Sequence, residues 1–465
     1  MKIRLVLCAS VAALSVSAGA VAAAPAAFAA GQRTAGADGG DARPSGGLDP
    51  AALESAMDAV HRAGIPGVYG EVRDDGRTWH GASGVADLRT GRPVTTGMRQ
   101  RIGSVTKTFT AAAVLQQVDR GRIELDAPIA RYLPGLVPGE RGRKITVRML
   151  LNHTSGIPDY ITYAFPSLLG FPSSPDVSAR SLDDNRFRQF RPAGLIELGL
   201  SAPPTGEPGG PTGVYSNTNY EILGLLLERV TGVGAEEYIT RNVIERAGLR
   251  HTGFPDGPRL KGPHSRMYEG LWGLIDPPRD YSVYNMSWVT MGAGLVSTME
   301  DLNRFYGALL DGRIVSRSSL AEMRRTLPVR ALDGTTIEYG LGLHKVVTGC
   351  GTFWGHDGTV WGAGTVSLTR ADGRRQMSVA VNLMRWSEVD SSGTPEHHPI
   401  DDALEALYGR AMCGDGEARA GKGAGDGGSS HGAAVVALPA GGLAPRPPSP
   451  VDDAGRVGGQ PPKRR

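Results

Sequence analysis

The chain has 465 residues, with 66 Gly, 32 Pro, 40% hydrophobic and 6% aromatic side chains. That apolar content supports a sizeable core and excludes wholesale disorder; the length allows two or three domains, or one large enzyme fold with appendages. Lys and Arg number 50 against 47 Asp and Glu, a net +3 without a sustained basic block, which argues against nucleic acid or an anionic membrane as the main partner. The 3 cysteines include no Cys-x-x-Cys pair, which excludes a disulfide scaffold and a zinc ribbon.

Residues 1–29 read as a secretory signal peptide. Lys2 and Arg4 open it, Leu5 to Ala24 is apolar with many small residues, and Ala27-Phe28-Ala29 supplies a small-x-small cleavage site. A membrane anchor is the rival, but Pro25 breaks the run and its Ala, Ser and Gly keep it weakly hydrophobic. Residues 30–47 form a Gly/Ala/Asp/Arg linker, and 414–465 a Gly/Ala/Pro-rich tail ending in Lys463-Arg464-Arg465. Neither can bury enough apolar surface to offset the entropy of ordering. The working domain is residues 48–413, secreted or associated with the cell wall, without stable membrane insertion after cleavage, and expected as a monomer. Export to an oxidising space suits a Cys350–Cys413 disulfide; two free thiols are the alternative.

Within the domain, Asp49 to Ala63 has helical spacing after an Asp-Pro start. Gly67 to Arg73 and Trp79 to Ala86 alternate as strands around Asp74-Asp75-Gly76. Thr106 to Arg120 is an Ala-rich helix with Leu115 and Val118 on one face, and residues 138–213 carry short helical pieces among Pro and Gly. Tyr220 to Thr231 is helical, and Ser297-Thr298-Met299-Glu300 reads as a capping box before a helix to Gly312. Tyr339 to Val347, Gly351 to Trp354, Gly362 to Arg370 and Gln376 to Leu383 alternate as strands, and Asp401 to Met412 closes with a helix. Strands at both ends with helices between predict an α+β fold: an antiparallel sheet flanked by helices, with a mostly helical insertion domain.

Three motifs carry chemistry. In Ser104-Val105-Thr106-Lys107, i and i+3 share a helix face, so the Lys107 amine can reach the Ser104 hydroxyl. The helix N-terminus favours negative charge on that oxygen, and a desolvated lysine can serve as general base. Tyr215-Ser216-Asn217 offers a phenol for proton relay and an amide for a substrate carbonyl. His356-Asp357-Gly358, followed by Thr359, has a glycine that lets a ligand approach the backbone of a strand edge. His251-Thr252-Gly253 is a rival third motif but reads as a loop. Each motif alone also fits an ordinary cap, turn or packed residue.

In this order the three resemble the active-site signature of the serine penicillin-recognising enzymes, the class C β-lactamase-like family. Leu150-Leu151-Asn152-His153-Thr154-Ser155-Gly156, Tyr215 to Tyr220, Tyr339-Gly340-Leu341-Gly342 and Gly355 to Gly362 look like family segments. The similarity is greatest to secreted actinobacterial D-alanyl-D-alanine carboxypeptidases, which share the histidine of the third motif and a disulfide placed like Cys350–Cys413. The resemblance implies a β-lactamase/transpeptidase-like fold, no cofactor or metal, and peptidoglycan stem peptides, small peptide or ester substrates and β-lactams as ligands. It implies Ser104 as the acylated nucleophile, with Lys107 and Tyr215 moving protons. Asn217 would hold the acyl donor's amide, the Ser104 and Thr359 N–H groups would form an oxyanion hole, and His356, Gly358 and Thr359 would line the carboxylate pocket. Two positions depart from the pattern. Asp357 stands where threonine is usual, and His344, followed by Lys345, stands where an arginine is expected to pair with that carboxylate. Esterases and D-amino-acid amidases share the fold. His397-His398 near Asp401 and Asp402 lacks zinc-ligand spacing, and Trp288, Trp361, Tyr160 and Phe165 are candidates for a pocket wall. A Gly-x-Ser-x-Gly at 428–432 has no strand before it, and a triad using adjacent His356 and Asp357 is disfavoured because strand neighbours face opposite ways.

Overall fold

Ten strands form the main sheet of the computed structural model, which describes residues 47–169, 176–390 and 395–414. The expected leader, linker and tail, with the Gly428–Gly432 motif, lie outside the described residues apart from Gly47 and Gly414. The strands are β1 (Gly67–Asp74), β2 (Arg77–Asp87), β3 (Arg92–Pro93), β4 (Gly213–Val214), β5 (Leu327–Arg330), β6 (Thr336–Tyr339), β7 (His344–Thr348), β8 (Gly351–Val360), β9 (Ala363–Arg370) and β10 (Arg375–Val381). Their order is β3-β2-β1-β10-β9-β8-β7-β6-β5-β4, antiparallel except for the short β4–β5 pairing. Early and late strands do complete one sheet: Val68 of β1 faces Val381 of β10.

One face of the sheet is covered by helices α1 (Pro50–Arg62) and α5 (Pro399–Cys413). Leu53, Met57 and Val60 repeat at helical spacing and pack with Val366, Leu368, Met377, Val379, Leu404 and Leu407. Each such side chain contributes roughly 1.5–3 kcal/mol by leaving water. The Asp49 carboxylate caps α1 by accepting the Ala52 N–H at 3.0 Å. A disulfide joins Cys350, just before β8, to Cys413 at the end of α5, with Cα atoms 5.5 Å apart.

The other face meets α2 (Thr106–Asp119), α3 (Asn217–Thr231) and α4 (Met299–Leu310). Helix α2 differs from its expected one-sided pattern: every residue from Thr106 to Gln117 is buried, as suits a helix enclosed by sheet and helices. Asn303 of α4 fastens the sheet, donating to Glu71 and accepting from Ser378 Oγ at 2.8 Å. Among the described residues no helix is long and apolar enough to cross a membrane.

Four boundaries correct the sequence reading. Tyr339 to Val347 is two strands, because Gly340 to Leu343 turns between β6 and β7; Gly342 has φ +78°, and a Cβ there would lie 2.3 Å from Ala111 Cβ. Gly351 to Trp354 continues to Val360, so the third motif lies inside a strand. Helix α3 begins three residues before Tyr220, at Asn217. Thr298, rather than Ser297, caps α4, its hydroxyl accepting the Asp301 N–H at 3.3 Å.

Candidate active site

Ser104 sits in a single 3₁₀ turn, Gly103–Val105, that runs directly into α2. The turn presses on β8 without a side chain between them. A Cβ on Gly103, whose φ is +53°, would stand 2.5 Å from Thr359 N, and one on Gly358 would stand 2.6 Å from Ser104 N. Strand β7 pairs with β8 only as far as Gly355, so His356 to Val360 are paired with β9 on one side and keep their other edge free. Glycine at 103 and 358 is therefore what brings the Ser104 and Thr359 amides together.

Lys107 lies one helical turn beyond Ser104, fully buried. Its Nζ is 3.1 Å from Ser104 Oγ, 2.6 Å from Asn217 Oδ1 and 3.0 Å from the Gly292 carbonyl. Burial pulls its pKa down to about 7, against the charges of Asp159, Glu221 and Asp357, which hold it up. The neutral amine has two hydrogens and one lone pair. Asn217 Oδ1 and the Gly292 carbonyl take the hydrogens, which leaves the lone pair facing the Ser104 hydroxyl. This is the arrangement a general base requires.

Tyr215 lies over the same lysine, 4.8 Å from Nζ to the ring centroid. Burial drives its phenol well above the ordinary value, with the neighbouring Ser104 hydroxyl offsetting part of the rise. The hydroxyl is buried and makes no well-formed hydrogen bond, so it stays protonated and poised beside the serine.

Asn217 is held from two sides. Its backbone N–H and Nδ2 both donate to Asp159 Oδ2, at 2.6 and 2.7 Å, while Oδ1 accepts from Lys107. Asp159 thus caps α3 from a distant loop, and it escaped the sequence reading because an aspartate after Pro158 looks like any turn residue. Glu221 was also missed. It accepts the Met291 N–H at 3.0 Å, steadying the segment whose Gly292 carbonyl binds Lys107, and burial raises its pKa to about 7. The signal was present: Asn217 and Glu221 stand at i and i+4 on one helix.

His153, in the Leu150–Gly156 segment, takes φ +63° and packs its ring 4.2 Å from that of Tyr215. Its Nδ1 meets the Ser216 N–H at 3.2 Å, and burial holds it neutral. That segment positions the Tyr215 turn.

On β8, alternation directs His356 and Gly358 to the Ser104 side, and Asp357 and Thr359 to the other face, where both keep some exposure. His356 Nε2 lies 3.0 Å from the Tyr339 hydroxyl, and burial keeps the ring far below its usual pKa. His344 Nε2 is 3.7 Å from Asp357 Oδ1, and burial lowers this histidine to about 4. Asp357 is raised to about 7, again by desolvation. Lys345 does not join them. It turns to the opposite face from His344, in register with Trp354 and Glu338, and makes no ion pair with Asp357.

The remaining candidates are accounted for by packing. His251 donates its backbone N–H to Asp301, and Thr252 bonds Ser297 and Asp301, so the rival third motif is a loop tied to the start of α4. His398 caps α5, and His397 pairs with exposed Asp402 at 3.0 Å. Trp288 and Trp361 stack at 5.2 Å with Phe165 edge-on to both, and Tyr160 bonds the Trp288 carbonyl. These four fill a core cluster rather than wall an open pocket.

Comparison with known proteins matches the arrangement. The Beta-lactamase family model covers residues 51–398. A D-aminopeptidase of Cereibacter sphaeroides is 29% identical over 339 residues, 72% of this chain and 60% of the relative. Penicillin-binding protein 4* of Bacillus subtilis is 27% identical over 281 residues, 57% of this chain and 56% of the relative. The chain thus spans less than two thirds of either relative's length. The crystal structure of a D-stereospecific amidohydrolase from Streptomyces sp. superposes with a TM-score of 0.65 at 32% identity, covering 79% of this chain and 99% of that one. With the family model spanning most of the domain and the three motifs converging on one serine, the chain belongs to the Beta-lactamase family.

Proposed function

We propose that the protein is a serine hydrolase that forms an acyl-enzyme on Ser104 and cleaves amide bonds of D-aminoacyl amides or peptides. The observation that carries the chemistry is Lys107, buried with Nζ 3.1 Å from Ser104 Oγ and with Asn217 Oδ1 and the Gly292 carbonyl, at 2.6 and 3.0 Å, placed to take both hydrogens of the neutral amine. In this reading Lys107 takes the serine proton as Oγ attacks the carbonyl carbon. Tyr215 then passes its proton to the departing amine and is reprotonated by Lys107, which is neutral again. In the second half water gives its proton to the same pair as its oxygen attacks the ester, and that proton returns to Ser104 Oγ as the acid leaves. The Ser104 and Thr359 N–H groups stabilise the oxyanion; loss of one donor from such a site costs about 3–4 kcal/mol. Asn217, fixed by Asp159, and the free edge of β8 orient the acyl chain.

The preference for amides lacking a terminal carboxylate rests on what surrounds the third motif. His344 and His356 are held neutral, Asp357 is acidic and its contacts within 4.0 Å include no Lys or Arg, so that end of the site lacks the paired cation a carboxylate calls for. The D-aminopeptidase and the D-stereospecific amidohydrolase among the relatives agree with this. A second reading, a D-alanyl-D-alanine carboxypeptidase or transpeptidase acylated by β-lactams, is favoured by the unpaired edge His356–Val360, which suits an extended peptide.

One experiment separates the readings. Intact mass after benzylpenicillin, followed by assay of D-phenylalaninamide and diacetyl-Lys-D-Ala-D-Ala, should give a Ser104 adduct and faster turnover of the amide. Faster D-alanine release would favour the carboxypeptidase, and a permanent adduct without any turnover would make the protein a binder. Hydrolysis surviving Ser104→Ala would overturn every covalent version.

A further inference from the structure

Asp357 is the one acidic side chain on the free edge of β8, within two residues of Thr359 and on the same face. Its side chain keeps 14% of its surface in solvent. The basic groups within 4.0 Å of its carboxylate are the rings of His344 and His356, at 3.7 and 3.8 Å. Both rings are neutral, and His356 directs Nδ1 at the Asp357 carbonyl instead of its carboxylate. His344 Nε2 is itself buried without a hydrogen-bond partner. A carboxylate in this position has been partly stripped of water and given no cation in return, a state that an arriving positive group would relieve and an arriving carboxylate would worsen.

We propose that Asp357 sets the charge selectivity of the site, admitting substrates that lay a neutral or cationic group along His356–Thr359 and rejecting those that lay a carboxylate there. The inference rests on the acyl-enzyme reading and adds to it the substrate class: amino-acid amides and peptides carrying an ammonium, or no charge, at the end that meets β8. His344 and His356 touch Asp357, and the further titratable groups whose charge reaches it are Lys107, Asp333, Tyr215, Tyr306 and Tyr408. Burial raises Asp357 itself to about 7, so the tests are run at about pH 7.5, where it is mostly ionised, the histidines are uncharged and a substrate α-amine, with an ordinary pKa of about 7.7–8.0, still carries its proton in large part.

Two substrate series read the effect. In the first, D-alanyl anilides carry a carboxylate, a carboxamide or a trimethylammonium group on the ring; in the second, D-alanyl 4-nitroanilide is compared with its N-acetyl form. The wild type is expected to favour the more positive member of one series by about tenfold or more in kcat/KM. Asp357→Asn and Asp357→Thr should bring that ratio to within about threefold, whichever series responds, and the series that responds identifies the end lying against β8. A variant that merely loosened the strand would slow all members alike, so ratios unchanged in both series overturn the proposal, as does a wild-type preference for the carboxylate. Turnover that persists in Ser104→Ala, with ratios still set by Asp357, would reject the acyl-enzyme and keep the charge filter. Absence of turnover of every member by the wild type would reject both.

Discussion

Lys107 can accept the Ser104 proton only when uncharged, so its titration should appear in the rate. With its pKa lowered to about 7, kcat/KM is expected to rise with pH through about 7 and then level as the amine loses its proton. Glu221 is among the charges that hold this pKa up. Glu221→Gln keeps a carbonyl for the Met291 N–H and removes the charge, so the rising limb should move to lower pH. A pH–rate profile of the two proteins checks this; a limb that stays in place or moves up would remove Glu221 from the lysine's electrostatics. At this scale Ser104 and Lys107 were legible as a pair on one helix face, and Tyr215, Asn217 and His356 through the resemblance of the three ordered motifs to a family signature. Asp159 was not, since it reaches Asn217 across 58 residues and no local pattern announces such a contact.

The elements explain why those side chains meet. Strand β8 and the 103–105 turn touch backbone to backbone, and Gly358 makes that approach possible: a Cβ there would lie 2.1 Å from the Ile102 carbonyl. Gly358→Ala should force β8 away from the nucleophile and slow acylation about hundredfold, because an ångström of misplacement is enough for such a loss. Gly76→Ala, in the open hairpin turn with nothing within 4 Å, should leave acylation unchanged although its φ of +82° makes the variant less stable. Stopped-flow acylation by a chromogenic β-lactam, alongside melting curves, distinguishes the two. The strands of the last third were visible as alternation, yet their ends were misjudged where function overrides pattern. The strand expected to stop at Trp354 runs on through His356, Asp357 and Gly358 to Val360, because β9 pairs it throughout.

For the whole molecule, the Cys350–Cys413 bond closes a stretch 63 residues long and ties β8 to the helix that covers the sheet. Replacing both cysteines with alanine should reduce unfolding free energy by about 4 kcal/mol in the chain-entropy picture. Denaturant melts with and without reductant check this: the wild type should fall to the variant's midpoint when reduced, and the variant should not respond. The sequence by itself determined the class of fold and the three motifs, because periodicity and short spacings are written locally, while the Cys350–Cys413 pairing was an expectation that the structure displays. Only the tertiary structure decided the state of the site. It stripped Lys107 of water, held His344 and His356 neutral, put Lys345 on the opposite face from His344 and Asp357, and gave the Asp357 carboxylate no Lys or Arg partner. Desolvation and strand facing belong to the packed assembly, and neither is a property of any segment alone.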